Sequence, residues 1–385
     1  MGGEDTRPPH REKVANASWA SNVVQGYIEH MPIGGKAIKG RGAALQVPNR
    51  FLKSSYGIVH WEGIDEVEDG DVRTRYLVEH AKSLVNPVDS PDLPFNWSMN
   101  PYQGCEHGCA YCYVRPTHEY WGYSAGLDFE RVILMKRSAP DLLRKTLMDP
   151  KWDAEPITIS GNTDPYQPIE RKEGITRKLL EILLEFKHPA GMITKNAMIL
   201  RDLDLLTELA AMRLVSVAIS FTTLNEDLRR VMEPRTSTGA NRLRTMEALS
   251  KAGVPVMVMI APVIPALNEE KIPDLLQAAA DAGAYTAGYT VLRTNGAVKP
   301  IFKSWLKEHF PDRATKVLAQ LGEMHRGATN DSQFGRRMSG VREYAHTIRQ
   351  LFDVVKGRCF GDRPAPVIDR TLFQRPEVGQ LDLFR

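Results

Sequence analysis

From Phe95 onward the chain alternates between short apolar runs and longer stretches in which apolar residues recur at helical spacing. Strands are expected at residues 97–99, 156–160, 192–194, 215–221, 254–260 and 284–292, with 131–135 as a further extended segment. Amphipathic helices are expected between them at 176–186, 203–212, 241–252 and 269–282, and Gly253 and Gly283 stand where the last two should end in a glycine cap. Ser138-Ala-Pro-Asp141 reads as a helix start, with serine as the cap and proline near the first turn. Strand and helix in alternation build parallel βαβ units, so the middle of the chain is an α/β structure with six strands in sequence. From Pro300 to about Val355 the pattern turns mainly helical.

The flanks are poorer in pattern. Residues 1–50 are polar, with Gly34, Gly35, Gly40 and Gly42 among basic residues, and read as a loose arm with little core of its own. Within it, Lys39-Gly-Arg-Gly42 is a basic patch able to touch a nucleic-acid backbone, although a solvated tail is the plainer reading. Residues 57–61 and 74–78 are strand-like on either side of an acidic 62–71, as in a hairpin or small capping element. Residues 86–94 carry three prolines and no periodicity, as a linker does. The expected organisation is an N-terminal arm and capping element at 1–94, an α/β core at 95–298, a basic helical extension at 299–375 and a flexible tail at 376–385.

Composition narrows the class. At 385 residues, 42% hydrophobic and 25% charged, the chain reads as an ordinary soluble globular protein with room for one barrel-sized domain plus appendages. It carries no N-terminal apolar run and no stretch of eighteen apolar residues, so neither a signal peptide nor a membrane partner is expected. Four cysteines, three of them clustered, fit a reducing compartment, and the expected location is cytoplasmic. The net charge of +3 is uneven: residues 299–375 hold 15 Lys and Arg against 8 Asp and Glu, a local +7, so the remainder sums to −4. A basic C-terminal third fits a phosphate-bearing partner, and a solvated helical surface accounts for it equally well.

The clustered cysteines lie in Cys105-Glu-His-Gly-Cys-Ala-Tyr-Cys112, with three and then two residues between them. Gly104 and Gly108 let such a loop turn tightly. A core has no need of this arrangement, whereas thiolates at short spacings hold metals and iron–sulfur centres. A structural zinc site wants four closed ligands. Here only three are local, and Cys359 is distant in sequence. Three thiolates on a four-iron cluster would leave one iron without a protein ligand, an arrangement suited to chemistry. A zinc or redox loop is the alternative on spacing alone.

With Tyr111 just before the last cysteine, the motif resembles the signature of the radical S-adenosylmethionine (radical SAM) enzymes. The longer run Gly104-Cys-Glu-His-Gly-Cys-Ala-Tyr-Cys-Tyr113 is similar to the spore photoproduct lyase group. The resemblance implies a partial (β/α)6 TIM-type barrel, which the six expected strands match. It implies a [4Fe-4S] cluster on Cys105, Cys109 and Cys112, whose free iron would bind the amino and carboxylate groups of S-adenosylmethionine. One electron from a separate donor would split the sulfonium and release a 5′-deoxyadenosyl radical, the cofactor carrying the hard chemistry and the protein its orientation and shielding.

In such barrels, sites gather where strands end and βα loops begin. After the second core strand comes Gly161-Asn-Thr-Asp-Pro-Tyr-Gln-Pro168, where Thr163-Asp164 matches a Ser-Asp pair with which the lyase holds S-adenosylmethionine. An Asx turn into Pro165 is the local alternative. After the third comes Thr194-Lys195, as in the lyase, whose lysine lies near the cofactor carboxylate. A lysine ending an apolar strand needs an anionic partner to justify its desolvation. Ile219-Ser-Phe-Thr222 aligns with Phe-Ser-Ile-Asn, Glu233-Pro-Arg-Thr236 with Glu-Pro-Gly-Thr, and Ala261-Pro-Val-Ile264 with Ala-Pro-Ile-Tyr. The cofactor-binding set so implied is Tyr111, Gly161, Asn162, Thr163, Asp164, Lys195, Ser220 and Ala261, with Ala261 against the adenosyl group.

The resemblance spans about 97–292 and departs in one place. The lyase has a cysteine just before its Ser-Asp pair that returns a hydrogen atom to the product, and here Gly161 and Asn162 occupy that ground. Cys359 folding back, Tyr113 or another tyrosine could serve instead, so catalytic residues are unassigned. The expected function is a lyase-like radical SAM enzyme acting on nucleic acid, DNA above all, in repair or modification. A radical SAM enzyme acting on a protein or small molecule is the second reading. A non-catalytic metal-stabilised nucleic-acid-binding module is the third, and it would need a fourth ligand nearby. At the C-terminus, Gln380-Leu381-Asp382-Leu383-Phe384 resembles the bacterial sliding-clamp-binding motif, implying a polar contact from Gln380 and an apolar pocket filled by Leu383 and Phe384. Packing of Leu381, Leu383 and Phe384 onto the barrel is the alternative.

Overall fold

Strands that are apolar on both faces are stable only between two covering layers, and here they build the centre of the molecule. The computed structural model describes residues 39–52, 73–361 and 363–376. Its strands are β1 (Arg75–Val78), β2 (Val85–Pro87), β3 (Trp97–Met99), β4 (Tyr102–Gln103), β5 (Val132–Met135), β6 (Ile157–Ile159), β7 (Ala190–Thr194), β8 (Val215–Phe221), β9 (Val256–Val263) and β10 (Ala287–Val291). The main sheet has the order β10-β9-β8-β7-β6-β3-β2. The six strands from β3 to β10 are parallel and adjacent in sequence order, and β2 adds an antiparallel edge beside β3. Both ends of this order are edges, so among the described residues the barrel is partial, as expected.

Helices Ala139–Met148, Ile175–Glu185, Leu203–Ala211, Gly239–Lys251 and Ile272–Asp281 return the chain between strands. Ile175–Glu185 is representative, turning Ile175, Leu179, Leu180, Ile182 and Leu183 onto the sheet. Gly253 and Gly283 close their helices with φ of 77° and 89°, the left-handed cap that glycine adopts without a Cβ clash. The 269–282 segment opens as a 3-10 turn at Glu269–Lys271 before the α-helix. Ser138 makes no side-chain cap bond, although Pro140 does sit in the first turn.

Three local expectations change. The 131–135 segment is extended only from Val132, and it joins a separate small sheet, β1-β5-β4. Within that sheet β1 pairs parallel to β5, while the other half of the expected hairpin, 57–61, lies outside the described residues. The 86–94 linker starts inside β2, whose Asn86 and Pro87 pair with Ser98 and Trp97. The arm is also not loose at its end, because Ala43, Leu45 and Val47 are buried beside the cysteine loop.

Beyond β10, helices Val298–His309, Pro311–Met324 and Glu343–Phe360 form the extension. Phe302, Trp305, Leu306 and Leu321 share an apolar cluster with Cys109, Ala110 and Tyr111, so the extension backs the cysteine loop directly. The Trp305 indole donates to the Val231 carbonyl at 2.9 Å and pins that contact. Residues 363–376 then run across the N-terminal ends of the strands, away from the cysteine loop. There the Gln374 amide donates to Phe186 and Arg375 donates to the carbonyls of Leu147, Asp149 and Trp152. Arg375 is therefore anchored to the ends of the preceding elements. Arg363 on the Ala284 carbonyl and Arg370 on Glu155 do similar work, so part of the local positive charge staples the fold. Residues 57–61, most of the arm and Gln380–Phe384 lie outside the described residues. Among the described residues no helix is long and apolar enough to cross a membrane.

Candidate active site

The cysteine loop leaves β4 and is fixed by backbone before any metal is considered. The Cys105 amide donates to the Phe129 carbonyl at 2.9 Å and the Cys112 amide to the Cys109 carbonyl at 3.3 Å. Gly108 holds φ of 66°, and Gly42 from the arm lies so close that a Cβ there would meet the Gly108 carbonyl oxygen at 1.7 Å. Only glycine permits that approach. The clamp is tied by Glu130, which is fully buried: its carboxylate accepts the amides of Gly42 and Ala43 and pairs with Arg115 at 2.5 Å. Each of the five Arg115 N–H groups has an acceptor, namely the Cys109 carbonyl twice, the carbonyls of Ala125 and Gly126, and Glu130. The Lys39–Gly42 patch is thus a clasp, and Arg41 itself donates to the Glu130 carbonyl instead of facing a nucleic acid.

Cys105, Cys109 and Cys112 all carry free thiols, the first two buried and the third partly so. Burial pushes all three pKa values up, with the Asp164 charge adding to the effect at Cys105 and the Glu233 charge at Cys109. Such thiols become thiolates when a cation binds them. Among the described residues no three His, Cys, Asp or Glu side chains converge closely enough to hold one metal ion. A cluster receives its thiolates on separate irons and so takes ligands spread around it. The donor set, three free thiols on one clasped loop, fits a cluster. Cys359 belongs to the outer helix layer, with its Sγ 3.5 Å from Gln277 Oε1 on the neighbouring helix Ile272–Asp281. It does not fold back to the loop.

Four of the residues expected to bind cofactor converge at the ends of β7, β8 and β9. Lys195 Nζ donates to Ser220 Oγ at 2.8 Å and to the Ala261 carbonyl at 3.1 Å, and it lies 5.7 Å from the centre of the Tyr111 ring. The anionic partner that a lysine ending an apolar strand requires is inside the chain: Glu233 Oε1 is 3.1 Å from the Nζ of the partly buried Lys195. Glu233 also receives the Tyr111 hydroxyl and pairs with Arg242 at 2.6 Å. Burial alone would raise the Glu233 pKa, but Arg242 and Lys195 hold it well below the usual carboxylate range.

The remaining expected residues tie the β6 end to the cysteine loop. Thr163 Oγ1 donates to the Gly104 carbonyl at 2.8 Å and Asn162 Nδ2 donates to Gln103. Gly161 is exposed, and its carbonyl accepts the Tyr113 hydroxyl at 3.0 Å. Asp164, expected to help hold the cofactor, is engaged by the protein. Oδ1 accepts Thr194 Oγ1 at 2.7 Å and the Tyr166 amide at 2.9 Å, and Oδ2 accepts the Lys195 amide at 2.8 Å with His107 Nδ1 at 3.4 Å. Burial opposes its ionisation, yet His107 and these bonds hold its pKa down. Asp164 therefore fixes where β7 ends and so where Lys195 starts.

Glu233, Arg242, His107, Glu130 and Arg115 were not read from sequence as site residues. Arg242 had a signal, since it shares the buried stripe of its helix with Thr245, Met246 and Leu249. An arginine in an apolar stripe announces a buried acid. Glu233 was visible in its Glu-Pro-Arg-Thr run without an assigned role. Glu130 and Arg115 had no signal, because apart from each other their partners are main-chain groups.

A family model described as the Radical SAM superfamily matches residues 99–279. An uncharacterised protein of Mycobacterium tuberculosis is 34% identical over 292 residues, covering 74% of this chain and 82% of that protein. An uncharacterised protein of Methanocaldococcus jannaschii is 24% identical over 279 residues, covering 72% of this chain and 95% of that protein. Among solved structures, spore photoproduct lyase complexed with dinucleoside spore photoproduct superposes with a TM-score of 0.53 at 16% identity, over 74% of this chain and 80% of that one. A lyase variant with bound AdoMet and the same dinucleoside gives 0.52 at 16% identity, over 74% and 79%. At that identity the likeness is one of fold.

Proposed function

The chain belongs to the radical SAM superfamily, and from that premise we propose that it acts on nucleic acid, DNA above all, in a lyase-like repair or modification reaction. As a radical SAM enzyme it is implied to use a [4Fe-4S] cluster and S-adenosylmethionine, which together supply a 5′-deoxyadenosyl radical on one-electron reduction. Cys105, Cys109 and Cys112 would hold the cluster. Lys195, Ser220 and the Ala261 carbonyl form a polar shelf for the cofactor, with Tyr111 along its side. Glu233 and Arg242 keep that shelf rigid, and the C-terminal helices keep water from the back of the cysteine loop. The observation carrying the substrate class is this shelf, set on a fold like that of spore photoproduct lyase, which has been solved in complex with dinucleoside spore photoproduct. Tyr113, whose hydroxyl reaches the Gly161 carbonyl where the lyase-like pattern has a cysteine, is the candidate hydrogen-atom donor. Docking of Gln380–Phe384 on a sliding clamp is a further proposal resting on the pentapeptide, testable with a peptide of residues 375–385 beside its Leu383→Ala, Phe384→Ala control.

The test is anaerobic reconstitution, reduction, and quantitation of 5′-deoxyadenosine with irradiated DNA, intact DNA or none. Irradiated DNA should raise the yield and be altered itself, and Tyr113→Phe should lower the product but not 5′-deoxyadenosine. Turnover indifferent to both DNAs would move the assignment to a protein or small-molecule substrate.

A further inference from the structure

Residues 293–296 follow β10 and form the last strand-end loop of the barrel. Arg293 is half-buried there, its Nε is shut off from solvent, and its guanidinium has no hydrogen-bond or ion-pair partner among the described residues. The Tyr113 ring, 5.8 Å from Cζ, is its close neighbour. A guanidinium cannot shed its proton, so burying it calls for an anion or a full set of acceptors. The nearby carboxylate is already engaged: Asp92 binds Arg337 Nε at 2.5 Å and accepts the Gly335 amide. Arg337 also stacks at 4.4 Å over the Phe334 ring, which fixes its charge in place. Burial and the Arg337 charge both press the Arg293 pKa down, with Tyr113 and Asp92 opposing them. Asp92 balances Arg337, and the Arg293 charge beside that pair is left in excess. Beside them Asn295 donates Nδ2 to the Tyr113 carbonyl at 3.1 Å, while its Oδ1 is buried without a partner. Tyr113 spans the mouth from this loop to Gly161 at the β6 end. Lys195, in contrast, has a carboxylate in reach, Glu233, which it shares with Arg242. Arg293 is the mouth cation with no carboxylate in ion-pair reach among the described residues.

We propose that Arg293, with Arg337 beside it, binds an oxyanion of the substrate, a phosphate group, while Asn295 Oδ1 accepts a hydrogen bond from the same molecule. The phosphate's source rests on the nucleic-acid reading, and the oxyanion itself does not. The other oxyanion that can reach a radical SAM mouth is the carboxylate of S-adenosylmethionine.

Three probes separate these sources on reconstituted, unreduced protein: inorganic phosphate by phosphorus NMR, S-adenosylmethionine by calorimetry, and a short single-stranded thymidine oligonucleotide by fluorescence anisotropy. Arg293→Gln should weaken phosphate and oligonucleotide binding by about tenfold to a hundredfold, the loss expected for one charge-assisted contact, and leave S-adenosylmethionine unchanged. Arg293→Lys should recover part of the loss, which a folding defect would not. Lys195→Ala should do the reverse, weakening S-adenosylmethionine by about tenfold to a hundredfold and sparing phosphate. Unchanged phosphate binding in Arg293→Gln overturns the site. Weakening of S-adenosylmethionine alone gives the arginine to the cofactor carboxylate and overturns the phosphate assignment. Arginine-dependent phosphate binding by a protein that takes no oligonucleotide supports the oxyanion site and removes the nucleic-acid reading.

Discussion

Alanine at Cys105, Cys109 or Cys112, one at a time, abolishes the reconstituted cluster and with it all radical chemistry, while Cys359→Ala keeps about four irons per chain. The reasoning is geometric. The three thiols share one loop held by the Cys105 amide, the Gly42–Gly108 contact and Arg115, so none of them can be supplied from elsewhere. Cys359 is held on the outer helix layer beside Gln277. Iron analysis and the visible iron–sulfur absorption band read the outcome for each variant. An equal requirement for Cys359 would replace the open-iron site with a closed four-thiolate one, and the protein would lose its place for S-adenosylmethionine.

The second large effect is expected at Glu130. Its carboxylate is fully buried and is the counter-charge of Arg115, which is fully buried as well. Removing one member of a buried pair leaves the other uncompensated and typically costs about 3–5 kcal/mol. Glu130→Ala also frees the amides of Gly42 and Ala43 and so opens the clasp over Gly108. Urea denaturation should show a loss of about that size, and cluster uptake should fall although no cysteine has changed. Glu130→Gln, which keeps the volume but removes the charge, should fall in the same direction. A normal midpoint with full iron content would mean that the arm and the arginine do not hold the loop.

The parts of the molecule that announce themselves in sequence are those governed by period and by reactive side chains. The alternation of apolar runs and amphipathic stretches placed all six parallel strands, because strands covered on both faces have few alternatives to apolar residues. Lys195, Ser220 and Ala261 were each legible near strand ends, and three neighbouring strands bring Ser220 Oγ and the Ala261 carbonyl within 3.1 Å of the Lys195 ammonium group. What stayed hidden depends on contacts between distant segments. Glu233 as the partner of Lys195 is 38 residues downstream of it, by subtraction of their numbers. The 41–47 segment was read as part of a loose arm because the 1–50 stretch around it is polar with glycines among basic residues, yet Gly42 lets backbone meet backbone at the cysteine loop. The prolines of 86–94 suggested a linker, but Pro87 stands on an edge strand, where a missing N–H is tolerated. Asp164 was read for the cofactor alone, because a sequence gives residue type and not occupancy. Its acceptors are taken by Thr194, Tyr166 and the Lys195 amide.

The most direct measurement of the central claim is the amount of 5′-deoxyadenosine released from S-adenosylmethionine by the reconstituted, reduced protein under anaerobic conditions. The account predicts release that requires reductant and disappears in each of the Cys105, Cys109 and Cys112 variants but not in Cys359→Ala. A wild-type protein that carries its full iron, binds S-adenosylmethionine and still releases no 5′-deoxyadenosine on reduction would contradict it.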